Sequence, residues 1–178
     1  LFIFDPLKEE AKEVIEALHK LGFSRICMMT GDNEKAARTI ANELRLDTFK
    51  AELLPEDKAG YIREEHDAGR KVVMIGDGIN DTPALSEADV GIAVHDGAAI
   101  AKEISDITIA TSDLRALILL RIISDNMMDK INSNYRFIIG FNSALIVSGL
   151  LGILSPTASA LLHNISTVVG GIMSTRPL

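Results

Sequence analysis

Lys71-Val72-Val73-Met74-Ile75-Gly76-Asp77-Gly78-Ile79-Asn80-Asp81 decides the reading of this chain. Val72 to Ile75 is an apolar run without polar alternation, the pattern of a strand buried on both faces inside a parallel sheet. Gly76 and Gly78 let the backbone turn sharply at the strand's carboxyl end, where open α/β sheets bind their ligands. Asp77, Asn80 and Asp81 gather hard oxygen donors on that turn. Such a set suits Mg²⁺, which takes one or two carboxylates together with phosphate oxygens. The plainer alternative is a turn that needs Gly, Asp and Asn for its backbone alone.

The chain has 178 residues and a net charge of −7. An acidic balance of this size argues against nucleic acid as a partner. The acidic residues are concentrated before about Asp129, and the tail beyond Arg136 is almost uncharged. A single cysteine, Cys27, excludes an internal disulfide, and its apolar neighbours predict a buried, inert thiol. The start at Leu1-Phe2-Ile3-Phe4, with no initiator Met and no charged leader, suggests a piece of a longer protein.

Around the central strand, strands and helices alternate. Phe2 to Phe4 reads as a strand, followed by a helix with Asp5 as cap and Pro6 in its first turn, closed by Gly22. Strands are expected at 25–29, 49–53, 90–94 and 107–110, and helices at 34–44, 55–68, 83–87 and 98–104. Alternation of this length predicts an α/β fold, a single parallel sheet with flanking helices. Thr30 ends its strand as Asp77 ends the central one, so the two tips share one sheet edge and could face one ligand. The Thr30 hydroxyl, with the N–H groups of Gly31 and Asp32, suits a phosphate at a helix N-terminus, although a simple turn and N-cap would look the same. Lys58 stands in the first turn of a helix, where the dipole favours acids. It is either a solvated lysine or a fixed cation beside a phosphoryl group.

Thr30-Gly31-Asp32, Lys58 and Gly76 to Leu85 together resemble, in order, late motifs of the haloacid-dehalogenase superfamily. The continuation through Ala88-Asp89-Val90-Gly91-Ile92-Ala93-Val94 is similar to the hinge segment of P-type ATPases. The resemblance implies a Rossmann-like phosphorylation domain acting with ATP and Mg²⁺. In it Asp77 binds Mg²⁺, Asp81 more weakly; Asn80 and Asp81 order the site; and Thr30, Gly31, Asp32 and Lys58 hold the phosphoryl group. The nucleophile motif Asp-Lys-Thr-Gly-Thr is absent, and Asp5-Pro6-Leu7 lacks the partners that would let Asp5 replace it. The actuator domain is absent as well. The resemblance therefore implies half of a catalytic site, inactive by itself.

The tail predicts membrane helices. No charge occurs from Phe137 to Leu154, Ser155-Pro156-Thr157 breaks the run, and Ala158 to Met173 is uncharged but for His163. Arg136 and Arg176 place both ends in the cytoplasm by the positive-inside rule; a buried hairpin of a soluble domain is the alternative. Gly140, Ala144, Ser148 and Gly152 form a small-residue stripe suited to close helix packing. Ser159, His163, Ser166, Thr167 and Gly170 form a polar and small stripe on the second helix. A terminal hairpin directly after this domain resembles the heavy-metal branch of P-type ATPases. Where copper members carry Tyr-Asn and Met-x-x-Ser-Ser, this chain has Phe141-Asn142 and His163-Asn164-Ile165-Ser166-Thr167. Imidazole in place of thioether favours a divalent transition metal as cargo, with His163 and Asn142 as candidate ligands.

The expected organisation is residues 1–112 as part of a phosphorylation domain, 113–136 as a stalk helix, unbroken or kinked near Asn132-Ser133-Asn134, and 137–178 as a transmembrane hairpin. The expected partners are the remainder of the transporter and the lipid bilayer, with the α/β part cytoplasmic. A non-catalytic membrane-anchored remnant and a soluble phosphatase of the same superfamily are the competing readings.

Overall fold

The computed structural model describes residues 10–94, 99–111 and 113–175. The expected Phe2–Phe4 strand, the Asp5 cap with Pro6 and Leu7, and Arg176 lie outside the described residues. The chain divides into two compact units, Leu1–Ile118 and Leu119–Leu178.

The first unit alternates as its sequence periodicity demands. Helix α1 (Ala11–Lys20) buries Ala11, Val14 and Ile15 on one face and ends before Gly22, whose φ of +96° costs glycine little. Strand β1 (Cys27–Met29) leads to Asn33, whose side chain accepts from the Ala36 N–H and so caps α2 (Glu34–Leu44). Strand β2 (Thr48–Lys50) is shorter than the expected 49–53. The chain leaves it at Glu52, where φ is +57°, and the Glu52 and Leu53 N–H groups bond back to the carbonyls of Asp32 and Thr30. These two bonds clamp the Thr30 turn. Helix α3 (Pro55–Asp67) opens with proline at its first position and stops ahead of Gly69. Strand β3 (Val73–Gly76), a short 3₁₀ turn at Ile79–Asp81, α4 (Thr82–Glu87), β4 (Val90–Ala93), α5 (Ala99–Ile104) and β5 (Ile107–Thr108) follow.

All strand pairs are parallel, but the described strands form two sheets rather than one: β1 with β2, and β3-β4-β5. No ladder joins β1 to β3. They meet instead through side chains, since Met29 packs against the cluster of Ile62, Met74, Ala84, Leu85 and Ala101. The central strand is not buried on both faces either. Met74 and Gly76 are buried, whereas Val73 and Ile75 are 40% and 39% exposed. An all-apolar run thus covers one buried and one open face, a distinction that periodicity alone cannot draw.

Two features fix the central loop to its surroundings. A Cβ on Gly91 would meet the Leu85 carbonyl oxygen at 2.7 Å, so β4 runs against the backbone of α4. Because backbone cannot swing aside, Gly91→Ala is expected to cost roughly 1–3 kcal/mol, measurable as a lowered urea midpoint of the first unit. Asp89 is the second. Its carboxylate accepts from Lys71 Nζ at 2.7 Å and the Val72 N–H at 2.8 Å, and lies 2.9 Å from His66 Nε2. The Lys71 ammonium first, then the Val72 N–H, hold this carboxyl well below the usual carboxylate range. A depressed folded pKa stabilises the fold above the unfolded value and loses that contribution as pH falls. Wild type and Asp89→Asn should therefore differ in urea midpoint at neutral pH, and the difference should begin to shrink below about pH 4 and close only as pH falls through the depressed folded pKa. Cys27 is half-buried, and burial pushes its thiol pKa up, in keeping with an inert thiol.

In the second unit, α6 (Arg115–Leu150) is a continuous helix of 36 residues that enters from the first unit, without a break at Asn132-Ser133-Asn134. Asp113 Oδ1 accepts from the Arg115 N–H at 2.9 Å and caps it. Gly152, at φ +69°, turns the chain, and Ser155 caps α7 (Pro156–Ser174) by accepting from the Ala158 N–H. Among the described residues no helix is long and apolar enough to cross a membrane. The reason is local: α6 ends at Leu150, so only the part of the uncharged run before the turn is helical, and Asn142, His163 and Asn164 dilute both helices.

The expected small-residue stripe of α6 shows no close packing at Gly140 or Gly152 among the described residues. A Cβ on Gly140 would meet nothing within 4 Å, and Gly152 lies in the turn. The helices meet through Ile138 against Gly170, whose added Cβ would come within 3.3 Å of Ile138 Cδ1, through Asn134 Nδ2 donating to Ser174 Oγ at 3.0 Å, and through Asn142 beside His163. The α7 stripe does supply contact residues, with Ser166 and Gly170 buried.

Candidate functional site

The site grows from the turn after β3. Gly76 is required there because a Cβ would lie 2.6 Å from Asp81 Cβ, so the strand end and the 3₁₀ turn are in contact. That closeness lets Asp81 Oδ2 accept from the Asp77 N–H at 3.3 Å. The other oxygen, Oδ1, takes Lys58 Nζ at 2.7 Å, and each of these two side chains is only 12% exposed. Lys58 is thus no solvated lysine. The first turn of α3 places its ammonium against the glycine loop, while Asp57 Oδ2 accepts from the Leu54 N–H and satisfies the helix start.

Asp81 is consequently spoken for. Its carboxylate bridges Lys58 and the Asp77 backbone, which makes it an organiser of the loop more than an open metal ligand. Asp77 differs: it is exposed, and among the described residues its carboxylate has no hydrogen-bond partner. Asn80 is exposed on the same turn. The described residues hold no group of three or more His, Cys, Asp and Glu side chains able to bind a metal. One free carboxylate on a glycine loop nonetheless fits Mg²⁺, which is ordinarily held by one or two carboxylates with phosphate oxygens and water completing its octahedron.

Thr30 and Asp32 form a separate cluster. Thr30 Oγ1 donates to Asp32 Oδ2 at 2.9 Å and accepts from the Asp32 N–H at 3.1 Å. Gly31 lies beside Leu53, and an added Cβ would make an ordinary contact of 3.5 Å with the Leu53 carbonyl oxygen. No hydrogen bond links Thr30 to the side chains of Lys58, Asp77 or Asp81 among the described residues; the two halves are tied through Met29, which packs on the Met74 cluster, and through the Leu53 N–H, which bonds the Thr30 carbonyl just ahead of α3. For Thr30 to donate to a ligand its hydroxyl must rotate away from Asp32.

In the second unit, His163 Nδ1 lies 3.0 Å from Asn142 Oδ1. Ser166 and Thr167 do not project their hydroxyl protons outward. Both donate to the His163 carbonyl, at 2.7 and 3.2 Å, as serine and threonine within helices often do. Sequence reasoning missed the Lys58–Asp81 pair and the role of Asp89. A lysine out of place in an acidic first turn signalled the former; nothing local signalled the latter.

Comparison with known proteins bears directly on this arrangement. A zinc-exporting P-type ATPase of Mycobacterium marinum is 42% identical over 173 residues, 97% of this chain and 24% of the relative. A manganese-exporting P-type ATPase of Mycobacterium tuberculosis is 41% identical over the same share, and a copper-exporting one of Staphylococcus aureus 39% identical over 93% of this chain and 21% of its own length. The crystal structure of a zinc-transporting PIB-type ATPase in its E2.Pi state superposes with a TM-score of 0.87 at 34% identity, over 96% of this chain and 28% of that one. The chain thus spans about a quarter of the length of the curated relatives it matches. Family models described as haloacid dehalogenase-like hydrolase match residues 1–89 and 66–118. With the first model covering half of its 178 residues, and the glycine loop, Lys58 and Asp77 within the match, the chain belongs to the haloacid dehalogenase-like hydrolase family.

Proposed function

We propose that this chain is the C-terminal part of an ATP-driven exporter of a divalent transition metal, contributing the Mg²⁺ and phosphoryl side of an aspartyl-phosphate site. The observation that carries the reading is the largely buried Lys58–Asp81 pair set against the free carboxylate of Asp77. A cation held rigidly beside a glycine loop is preorganised to offset charge that develops on a transferring phosphoryl group. Asp81 acts through Lys58 and through the Asp77 N–H; Asn80 orders the turn; Thr30, released from Asp32, donates to a phosphoryl oxygen, with the Gly31 and Asp32 N–H groups beside it. Mg²⁺, when bound at Asp77, would neutralise phosphate oxygens. The nucleophile, the nucleotide-binding and actuator domains and the earlier membrane helices belong to the remainder of the transporter.

Residues 1–112 are then the phosphorylation-domain portion, 113–136 the stalk, and 137–178 a membrane hairpin in a plasma or inner membrane, its turn at Ser155-Pro156 outside and the α/β part in the cytoplasm. The uncharged run continues past the end of α6 to Leu154, so its apolar length exceeds its helical length. Ile146, Leu150, Leu151, Ile153, Val168 and Ile172 are all more than half exposed, a concentration of apolar surface that suits lipid or neighbouring helices. His163 supplies a nitrogen to the cargo ion.

The test is Mg²⁺ binding to the 178-residue chain by calorimetry. Weak binding is expected, weakened further in Asp77→Asn, and the chain alone should neither take phosphate from ATP nor hydrolyse a phosphate ester. Unchanged binding in Asp77→Asn would remove this residue from the site. Phosphatase activity abolished by Asp5→Asn would make Asp5, which lies outside the described residues, the nucleophile.

A further inference from the structure

Asn142 of α6 and His163 of α7 meet across the helix pair of the second unit, with Asn142 Oδ1 3.0 Å from His163 Nδ1. An amide oxygen can only accept, so the imidazole nitrogen facing it is the donor and carries the ring proton. A neutral imidazole has a single ring proton, which leaves Nε2 with its lone pair. Among the described residues Nε2 has no hydrogen-bond partner. Ser166, 3% exposed, stands behind the pair: its hydroxyl donates to the His163 carbonyl at 2.7 Å and lies 3.5 Å from the same Asn142 oxygen. Asn142 and His163 also line one open groove of about 600 Å³, together with Leu145, Gly149, Ser159 and Ala160.

We propose that Asn142 is a positioning residue and not a ligand: it holds His163 as the Nδ1–H tautomer, so that Nε2 is the nitrogen offered to a borderline divalent cation. The inference rests on the reading of the hairpin as part of a metal path and specifies its chemistry. A histidine that ligates a metal almost always gives its other N–H to an oxygen acceptor, which fixes the ring and its tautomer. Here the acceptor is a neutral amide. A carboxylate would raise the basicity of Nε2 and hold the ion harder; an amide orients the ring with little of that effect. Reversible binding suits a transported ion better than a retained one. Imidazole nitrogen selects Zn²⁺, Co²⁺ or Ni²⁺ over Mg²⁺ and Ca²⁺, which prefer oxygen.

The experiment is ¹⁵N NMR of the histidine-labelled 178-residue chain in lipid bilayers, with Zn²⁺ alone as probe. Signals lost in His163→Gln identify His163. Wild type is expected to show a protonated Nδ1 and a bare Nε2 that Zn²⁺ shifts. Asn142→Leu should move the proton towards Nε2 and weaken Zn²⁺ binding about 10- to 100-fold, while Asn142→Asp keeps the tautomer and binds at least as well. A wild-type ring protonated at Nε2, or Zn²⁺ that shifts Nδ1 or neither nitrogen, would overturn the assignment. Weaker Zn²⁺ binding in Asn142→Leu with an unmoved tautomer would make Asn142 a ligand and overturn it equally. Phosphorylation of the transporter depends on residues of the first unit, so each of these failures is separable from failure of the exporter reading.

Discussion

Replacing Lys58 with methionine is expected to lower the unfolding free energy of the first unit by about 3 kcal/mol. Methionine keeps most of the stem's packing, so the loss comes from Asp81, whose carboxylate would remain 12% exposed with its Oδ1 unpaired. Its second oxygen still holds the Asp77 N–H, which keeps the carboxylate on the loop. Neutralising the stranded charge should therefore restore stability. Lys58→Met/Asp81→Asn is expected to recover roughly 1–2 kcal/mol of the single-variant loss, a coupling of the size seen for contacting pairs. Urea denaturation of both singles and the double measures it. Strict additivity would mean that the pair is no more than a surface contact.

Asp77→Asn should behave in the opposite way. Asp77 is exposed and its carboxylate has no partner among the described residues, so the substitution is expected to change stability by no more than about 0.5 kcal/mol. Phosphoryl transfer in the joined transporter, in contrast, should fall about 10²- to 10³-fold, the cost of losing one preorganised electrostatic contact in a reacting site. Two residues four positions apart are thus expected to separate cleanly: Asp81 and its lysine carry stability as well as function, Asp77 function alone. Rates and melting curves on the same preparations give both axes.

The geometry of the loop was legible because it is local. Gly-Asp-Gly after an apolar run dictates a strand end with a displayed carboxylate, and β3 ends at Gly76 with Asp77 exposed. Helix limits set by caps were legible for the same reason: Asn33, Pro55 and Ser155 each open their helix where expected. What the sequence could not convey was pairing between distant segments. Nothing in Arg25 to Met29 tells that β1 bonds only to β2, or that Val73 and Ile75 lie on an open face. Carboxylate occupancy is equally non-local. Residue type and spacing do not tell Asp77 from Asp81, which only the resemblance to a known family separates, and it is the approach of α3 that makes Asp81 the partner of Lys58 and leaves Asp77 free. The stripe at Gly140, Ala144 and Ser148 names no neighbour, because small residues permit close packing without specifying which helix comes close; among the described residues nothing lies within 4 Å of a Cβ on Gly140.

Transfer of the γ-phosphate of ATP to the proposed transporter, of which this chain would be part, tests the central claim most directly. The account predicts a hydroxylamine-labile phosphoprotein that requires Mg²⁺ and is lost in Asp77→Asn while the melting curve of the first unit is unchanged. Full labelling of a folded Asp77→Asn protein, at the same Mg²⁺ dependence as wild type, would contradict it.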